Sequence, residues 1–387
     1  MAQRDPPSLA SDALWNGLSF VLRVVGTLIA LRLVARGLGP ELQGRFGFVH
    51  WLVATGAQLS LWGLGPTATR FVARALGRGR PEEALASVRR IRSLAWASQA
   101  LVLAAALGGV LAFGGDLKLP LLLGLPFLVA SATHQWRLAV SWGLRRFDLA
   151  FAGQGLFFVL LVPGILLGLR APDPVLGVLA GFLVARGAFA LFLSRTTDRL
   201  LAQPGGADLS LDPSVEARGD AATPPTSAPL ALEIRRYAVE LAGVALCSAL
   251  LWDRAEMAFL KAFVDYREMG LYTAAFGLSI LVTRVPGVLA GVMVPLVAEL
   301  EGATAGDEAI GRACRRGAGL LSLLLAGPTA VALAAAGPIV ALMYGPEYSA
   351  SVPLLQILLL PLLLGGFGAA GAKTLVGGGA QRVLLRV

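Results

Sequence analysis

The residues of this chain best placed to do chemistry are a few charged and polar groups set inside long apolar runs. Arg23 falls in the middle of the stretch Leu14 to Ala35, and Asn16, Ser19, Arg23 and Thr27 follow one another at steps of 3, 4 and 4. On an α-helix those steps align along one face, so the segment predicts a polar stripe on an apolar cylinder. A charge in hydrocarbon is costly unless it meets water or a partner, so the stripe is expected to face a water-filled cavity or an interhelical hydrogen-bond network. Arg284 lies two residues before Pro286 in a later apolar run, and a shift of 226 pairs it with Gln58. Two equivalent helices would then present a polar group at one depth, and Pro286 and Pro295 would free carbonyls of the kind tolerated where a helix bends or lines a cavity. Asp253 and Glu256 share a helix face beside Arg254. They could bind a proton or cation, or pair with Arg23 or Arg254.

The other intramembrane cations rank lower. Arg32 is close enough to the outer surface to snorkel, while Arg186 and Lys373 sit in Gly/Ala-rich segments where close packing competes with function. Cations outnumber acids inside the apolar runs, which favours an anionic ligand over a cationic one. Cys247 and Cys314 have neither the spacing nor the setting of a metal site or disulfide. His50 and His134, far apart, are expected to be packed or hydrogen-bonded rather than ligands. No cofactor or metal motif is visible, and no G-x-x-x-x-G-K-[ST] loop marks a nucleotide-driven motor.

The elements that must position these groups are membrane helices. With 387 residues, 56% hydrophobic, 15% charged and a mean hydropathy of +0.72, the chain has more apolar surface than a globular core can absorb. Apolar stretches near 20 residues recur throughout, the length that crosses about 30 Å of hydrocarbon. They predict about ten spans, at 13–35, 46–68, 91–113, 119–142, 150–169, 175–193, 238–260, 271–298, 320–343 and 352–376. The formal charge of +9 punctuates these spans rather than gathering on a soluble face, which argues against a nucleic-acid binder. Arg70, Arg74, Arg78, Arg80, Arg89, Arg90 and Arg92 follow the second span, so that connection and both chain ends are expected on the cytoplasmic side.

The composition between Leu200 and Leu230 turns to Pro, Gly, Ala, Ser and Asp, which predicts a flexible linker. It divides the chain into a lobe at 1–199, a linker at 200–232 and a second lobe at 233–387. The lobes repeat: an offset of 226 carries Gly44 onto Gly270, Phe46 onto Tyr272, Glu82 onto Glu308, and Arg89 and Arg90 onto Arg315 and Arg316. An offset near 235 then carries Pro126 onto Pro361 and Gly143 onto Gly378. Equal orientation of the lobes predicts an axis along the membrane normal. By this register Val387 falls at about Phe151, so the second lobe is expected to lack two helices, giving six plus four.

Several segments resemble bacterial polysaccharide-biosynthesis flippases of the multidrug/oligosaccharidyl-lipid/polysaccharide exporter superfamily. They are Ala35-Arg36-Gly37-Leu38-Gly39-Pro40-Glu41-Leu42-Gln43-Gly44-Arg45-Phe46, Gly63-Leu64-Gly65, and Ala73 to Arg90 with Gly79-Arg80-Pro81-Glu82-Glu83-Ala84. Asp253-Arg254 followed by Met269-Gly270-Leu271-Tyr272-Thr273-Ala274-Ala275-Phe276, and Tyr344-Gly345-Pro346-Glu347-Tyr348 followed by Pro353, complete the pattern. The resemblance implies an all-α pair of lobes around a cavity in the bacterial cytoplasmic membrane. By alternating access it would move a polyprenyl-pyrophosphate-linked oligosaccharide, with membrane lipid, a polysaccharide polymerase and glycosyltransferases as neighbours. Related lipid II flippases use cavity arginines on helices one and eight for the pyrophosphate, and Arg23 and Arg284 occupy those helices here. Three alternatives stand beside it. An ion-coupled multidrug or organic-cation exporter would want acids in its cavity. A membrane-embedded glycan polymerase or ligase would want a large outer loop with catalytic Arg or His. The third alternative is a nonfunctional fragment.

Overall fold

The structure is a computed structural model that describes residues 9–77, 80–202, 232–239, 241–243, 256–290 and 306–363, and these form helices joined by tight turns. The helices are α1 (Leu9–Leu61), α2 (Leu64–Gly77), α3 (Pro81–Phe113), α4 (Lys118–Gly143), α5 (Phe147–Gly168), α6 (Pro174–Ala202), α7 (Glu256–Phe263), α8 (Tyr266–Ala290), α9 (Gly306–Ala334), α10 (Ala336–Met343) and α11 (Ser351–Leu359). Six segments among the described residues are long and apolar enough to cross a bilayer: Leu14–Leu61, Pro81–Phe113, Gly115–Gly143, Phe147–Gly168, Pro174–Ala202 and Cys314–Ala334. The first of these is 48 residues long, about twice what one crossing needs. It is divided at Gly39, whose φ of 69° and ψ of 171° interrupt the helix, and Pro40 then restarts it with a φ already fixed for a first helical turn.

The expected second span at 46–68 is corrected by the structure: the helix stops at Leu61, and Trp62 and Gly63, both with positive φ, turn the chain into α2. Helix α2 is not apolar all round. Phe71, Val72, Ala75 and Leu76 are buried while Arg70 is exposed, the pattern of a helix lying on an apolar bed with its cations outward. The expected spans at 238–260 and 352–376 and the linker at 200–232 fall largely outside the described residues.

Helix starts follow local chemistry. Pro81 opens α3 with Glu82 and Glu83 in its first turn, which suits the positive end of the helix dipole. The Asp173 carboxylate accepts the backbone N–H groups of Val175 and Leu176 at 2.9 and 3.1 Å to cap α6, and Asp265 accepts that of Glu268 at 2.8 Å to cap α8.

The chain folds as two compact units, one of residues 1–30 and 48–262 and the other of residues 31–47 and 263–387. In the first unit, Phe71, Ile91, Phe127, Leu128, Trp136 and Leu144 form a core shared by α2, α3 and α4. The short helical stretch at 232–239 docks on it: Ile234 is fully buried, Tyr237 meets the Phe71 ring edge-on at 6.0 Å, and Arg74 pairs with Glu233 at 2.5 Å. Helices α5 and α6 approach closely where Gly164 faces Gly181 and Gly168 faces Gly177. Outward, residues such as Phe113, Val159 and Leu167 are exposed, as a lipid-facing surface requires.

The second unit joins residues 31–47 of α1 to α8 and the helices after it. A Cβ on Gly44 would overlap the Tyr266 carbonyl, and a Cβ on Gly270 would overlap the Pro40 carbonyl. Both Gly44 and Gly270, and both Pro40 and Tyr266, are 226 apart, the repeat offset. Contact of i with j and of j with i is what a two-fold relation between repeats produces. The turns repeat as well. Gly39 and the break before α8 at Asp265 are equivalent, and the 3₁₀ turns Gly115–Leu117 and Pro346–Tyr348 each involve a glycine of positive φ, Gly115 and Gly345. Tyr344 and Tyr348 donate their hydroxyls to the Ala274 and Ala35 carbonyls at 3.1 and 2.9 Å, and Ser351 donates to that of Leu271 at 2.9 Å.

Candidate functional site

The polar groups of the first unit converge between α1, α4, α5 and α6. Helices α4 and α6 run in the same direction with α5 as the return pass. His134 and Arg186 therefore lie roughly 24 and 18 Å along their helices from the same side, well inside the span. An Arg186 guanidinium nitrogen stands 3.3 Å from His134 Nδ1. A guanidinium only donates, so Nδ1 accepts and the ring is neutral with its proton on Nε2. The charges of Arg186 and Arg23 both bear on this ring.

Aromatic groups fix the arrangement. The Arg186 guanidinium lies 4.3 Å over the Phe157 ring, and His134 sits 4.3 Å from Phe189. On α1, Gly26 admits the face of Phe158, where any Cβ would collide with the ring. This brings α1 against Phe158, whose ring meets that of Phe157 at 5.0 Å, with Arg23 one turn earlier on the same helix. His134 is 7% exposed, and its Nε2 is buried without a hydrogen-bond partner among the described residues. A buried unsatisfied donor costs about 1–3 kcal/mol.

One turn along α4, the second buried cation has a different fate. Arg137, 4% exposed, makes a bidentate pair with Asp198 at 2.5 and 3.1 Å, donates to Thr197 at 3.2 Å and stacks 4.2 Å over Trp136. Arg137 is thus neutralised within the bundle and held as structure.

Of the residues singled out from sequence, Arg23 is half-buried and its charge bears on His134, and Arg186 is paired with that ring. The stripe around Arg23 does not present one uniform face. Asn16 is exposed, Ser19 is buried with its hydroxyl on the Trp15 carbonyl of its own helix at 2.8 Å, and Thr27 is half-buried. Gln58 is exposed, and Glu256 is half-buried in the first turn of α7. Arg32 points into the second unit, where it donates to the Leu342 carbonyl at 2.8 Å while Arg36 donates to Leu342 and Met343 at 2.8 and 3.2 Å. These two arginines cap the end of α10. Arg284 falls on α8, but its side chain lies outside the described residues, as do Asp253, Arg254 and Lys373. Cys247 is outside them too, and no group of three or more His, Cys, Asp or Glu that could hold a metal occurs among the described residues. His50 packs between Phe127 and Phe182 at 5.7 and 5.4 Å.

His134 is packed and hydrogen-bonded, as expected, but its partner Arg186 is 52 positions away, and a histidine in an apolar helix carries no local sign of a distant guanidinium.

Apolar helices in two repeats, with arginines and a histidine held inside one bundle, define a polytopic membrane protein with an internal polar site. No family model matches the sequence, and no curated protein matches it. Solved structures do match. An inward-facing multidrug resistance MATE family transporter of the MOP superfamily is 15% identical, covers 94% of this chain and 83% of its own, and superposes with a TM-score of 0.71. The eukaryotic MATE transporter AtDTX14 is 13% identical with a TM-score of 0.62, over 98% of this chain and 85% of its own. A MATE solved in complex with MaD5 is 17% identical with a TM-score of 0.56, over 95% and 84%. The chain has the fold of MATE transporters of the MOP superfamily, the superfamily that its turn motifs resemble.

Proposed function

We propose that this chain is a membrane transporter that carries an anionic amphiphile across the bilayer by alternating access, with Arg23 in its binding site. The observation that carries the reading is the pairing of Arg186 with His134 inside a bundle of MATE-type fold, where the charge of Arg23 also bears on the ring. Charges held this deep are expensive unless they serve a ligand or a partner, and two like charges beside one ring suit an anion. A polyprenyl-pyrophosphate-linked oligosaccharide fits that chemistry through bidentate guanidinium contacts, and the turn motifs favour it.

A second reading has its own support. The solved structures named above are MATE transporters, one of them described as a multidrug resistance protein, and this likeness favours an ion-coupled multidrug exporter over an oligosaccharide flippase. The two readings diverge on the charge of the cargo. Purified chain in proteoliposomes is offered a fluorescent organic cation in one arm and a short-chain polyprenyl-pyrophosphate glycan in the other. Movement of the anionic cargo, lost in Arg23→Gln, is expected. Movement of the organic cation alone would overturn the proposal in favour of the exporter.

A further inference from the structure

His134 is packed and hydrogen-bonded, as expected of a histidine in an apolar helix, and its two ring nitrogens differ in what they meet. His134 Nδ1 is occupied by Arg186, which fixes the tautomer and leaves the Nε2 proton as a buried donor with no acceptor among the described residues. The ring is 7% exposed and clamped against Phe189, so it cannot swing out to find water. Among the described residues, the charges bearing on it are both cationic. The nearby carboxylate, Asp198, is already claimed by Arg137 through two hydrogen bonds. A neutral donor pinned among guanidinium groups calls for an acceptor that brings negative charge.

We propose that His134 and Arg186, with Arg23, form an oxyanion site of the phosphate class, in which His134 Nε2–H donates to a ligand oxygen and Arg186 holds the ring in the donating tautomer. Arg186 is then a positioning residue for His134 as well as a source of charge, and Phe157 keeps its guanidinium flat and in place. Helix α4 divides the labour between neighbouring turns: Arg137 is neutralised from within by Asp198, and His134 is left for a ligand. The proposal rests on the anionic-cargo reading for its biological meaning and on the geometry alone for its existence.

The chain has two histidines, so a protein labelled with ¹⁵N-histidine has two imidazole spectra, and His50→Asn assigns them. The full-length labelled protein in a phosphate-free maltoside micelle is titrated with inorganic pyrophosphate, with chloride at equal ionic strength as the control. A saturable shift of His134 Nε2 is expected, absent with chloride. Affinity should fall about tenfold or more in His134→Phe and Arg186→Gln, and His134→Gln, which keeps an N–H donor, should recover part of it. A parallel titration with phosphatidylglycerol separates the two sources of the oxyanion. A shift with pyrophosphate assigns the site to a soluble or cargo phosphate, and a shift with the lipid alone assigns it to a headgroup. No saturable shift in the native protein with either probe overturns the site, and this arm needs no substitution that could unfold the bundle. So would full pyrophosphate affinity in both His134→Phe and Arg186→Gln. Pyrophosphate binding combined with transport of organic cations only would leave the site standing and remove the cargo reading.

Discussion

Replacing Gly270 by alanine tests whether the repeats meet as closely as the reciprocal contact implies. The new Cβ would fall well inside contact distance of the Pro40 carbonyl, a backbone atom that no rotamer change can move aside. The helices must separate, and overpacking of this kind costs about 1–3 kcal/mol. Alanine in a helix gains roughly 0.8–1.0 kcal/mol over glycine, which offsets part of that cost. A net loss on the order of 1–2 kcal/mol is expected, and the same for Gly44→Ala, whose Cβ would meet the Tyr266 carbonyl. One separation relieves both clashes, so the double variant should cost less than the sum of the singles. Gly319→Ala, where nothing lies within 4 Å of the added atom, is the control and should be neutral or stabilising. Stability is measured by unfolding in mixed dodecyl sulfate and maltoside micelles. If Gly270→Ala proves as harmless as Gly319→Ala, or if the Gly44/Gly270 double is strictly additive, the close crossing is refuted.

Asp198→Ala should cost more than Arg137→Met in the same assay, on the order of 3–5 kcal/mol, because it strands a buried guanidinium whereas the other change leaves a half-exposed carboxylate. Tyr348→Phe should cost about 1–2 kcal/mol through the lost bond to the Ala35 carbonyl. Burial, followed by Tyr344 and Glu347, holds the Tyr348 phenol above its usual range. The folded state therefore keeps the proton where the unfolded chain releases it. The contribution is complete below the unfolded value of about 10 and is lost as pH rises toward the folded one, a decline that Tyr348→Phe should abolish. Joint replacement of Arg32 and Arg36 by alanine should uncap α10 and speed hydrogen exchange across residues 336–343, while exchange in α4 stays unchanged.

The repeat was legible because its anchors are backbone features. Gly44 and Gly270 must be glycine where carbonyls press on them, and the breaks at Gly39 and Asp265 need turn or cap residues, so chemistry and register coincide in the sequence. The end of the second span was not legible. An apolar residue, Trp62, turns the chain at positive φ, and hydropathy averages across the turn. The site was half legible. Arg23 is visible as a charge in an apolar run, but its neighbours are chosen by bundle packing over long separations, and polarity along one helix does not say which other helix it faces. Arg32 illustrates the same point, since its partner Leu342 lies more than 300 positions away.

Residues 31–47 are encoded with the first unit and fold with the second. They behave like the arm exchanged in a domain-swapped dimer, except that donor and recipient are parts of one chain. A cut anywhere in 203–231 would leave the N-terminal fragment still contributing a segment to the other half. Two separately expressed fragments should therefore copurify, and the second should be ill-folded without the first. The two units are therefore not independent modules along the sequence, and any exchange of one part for a foreign counterpart would have to carry the Gly44 and Gly270 faces together.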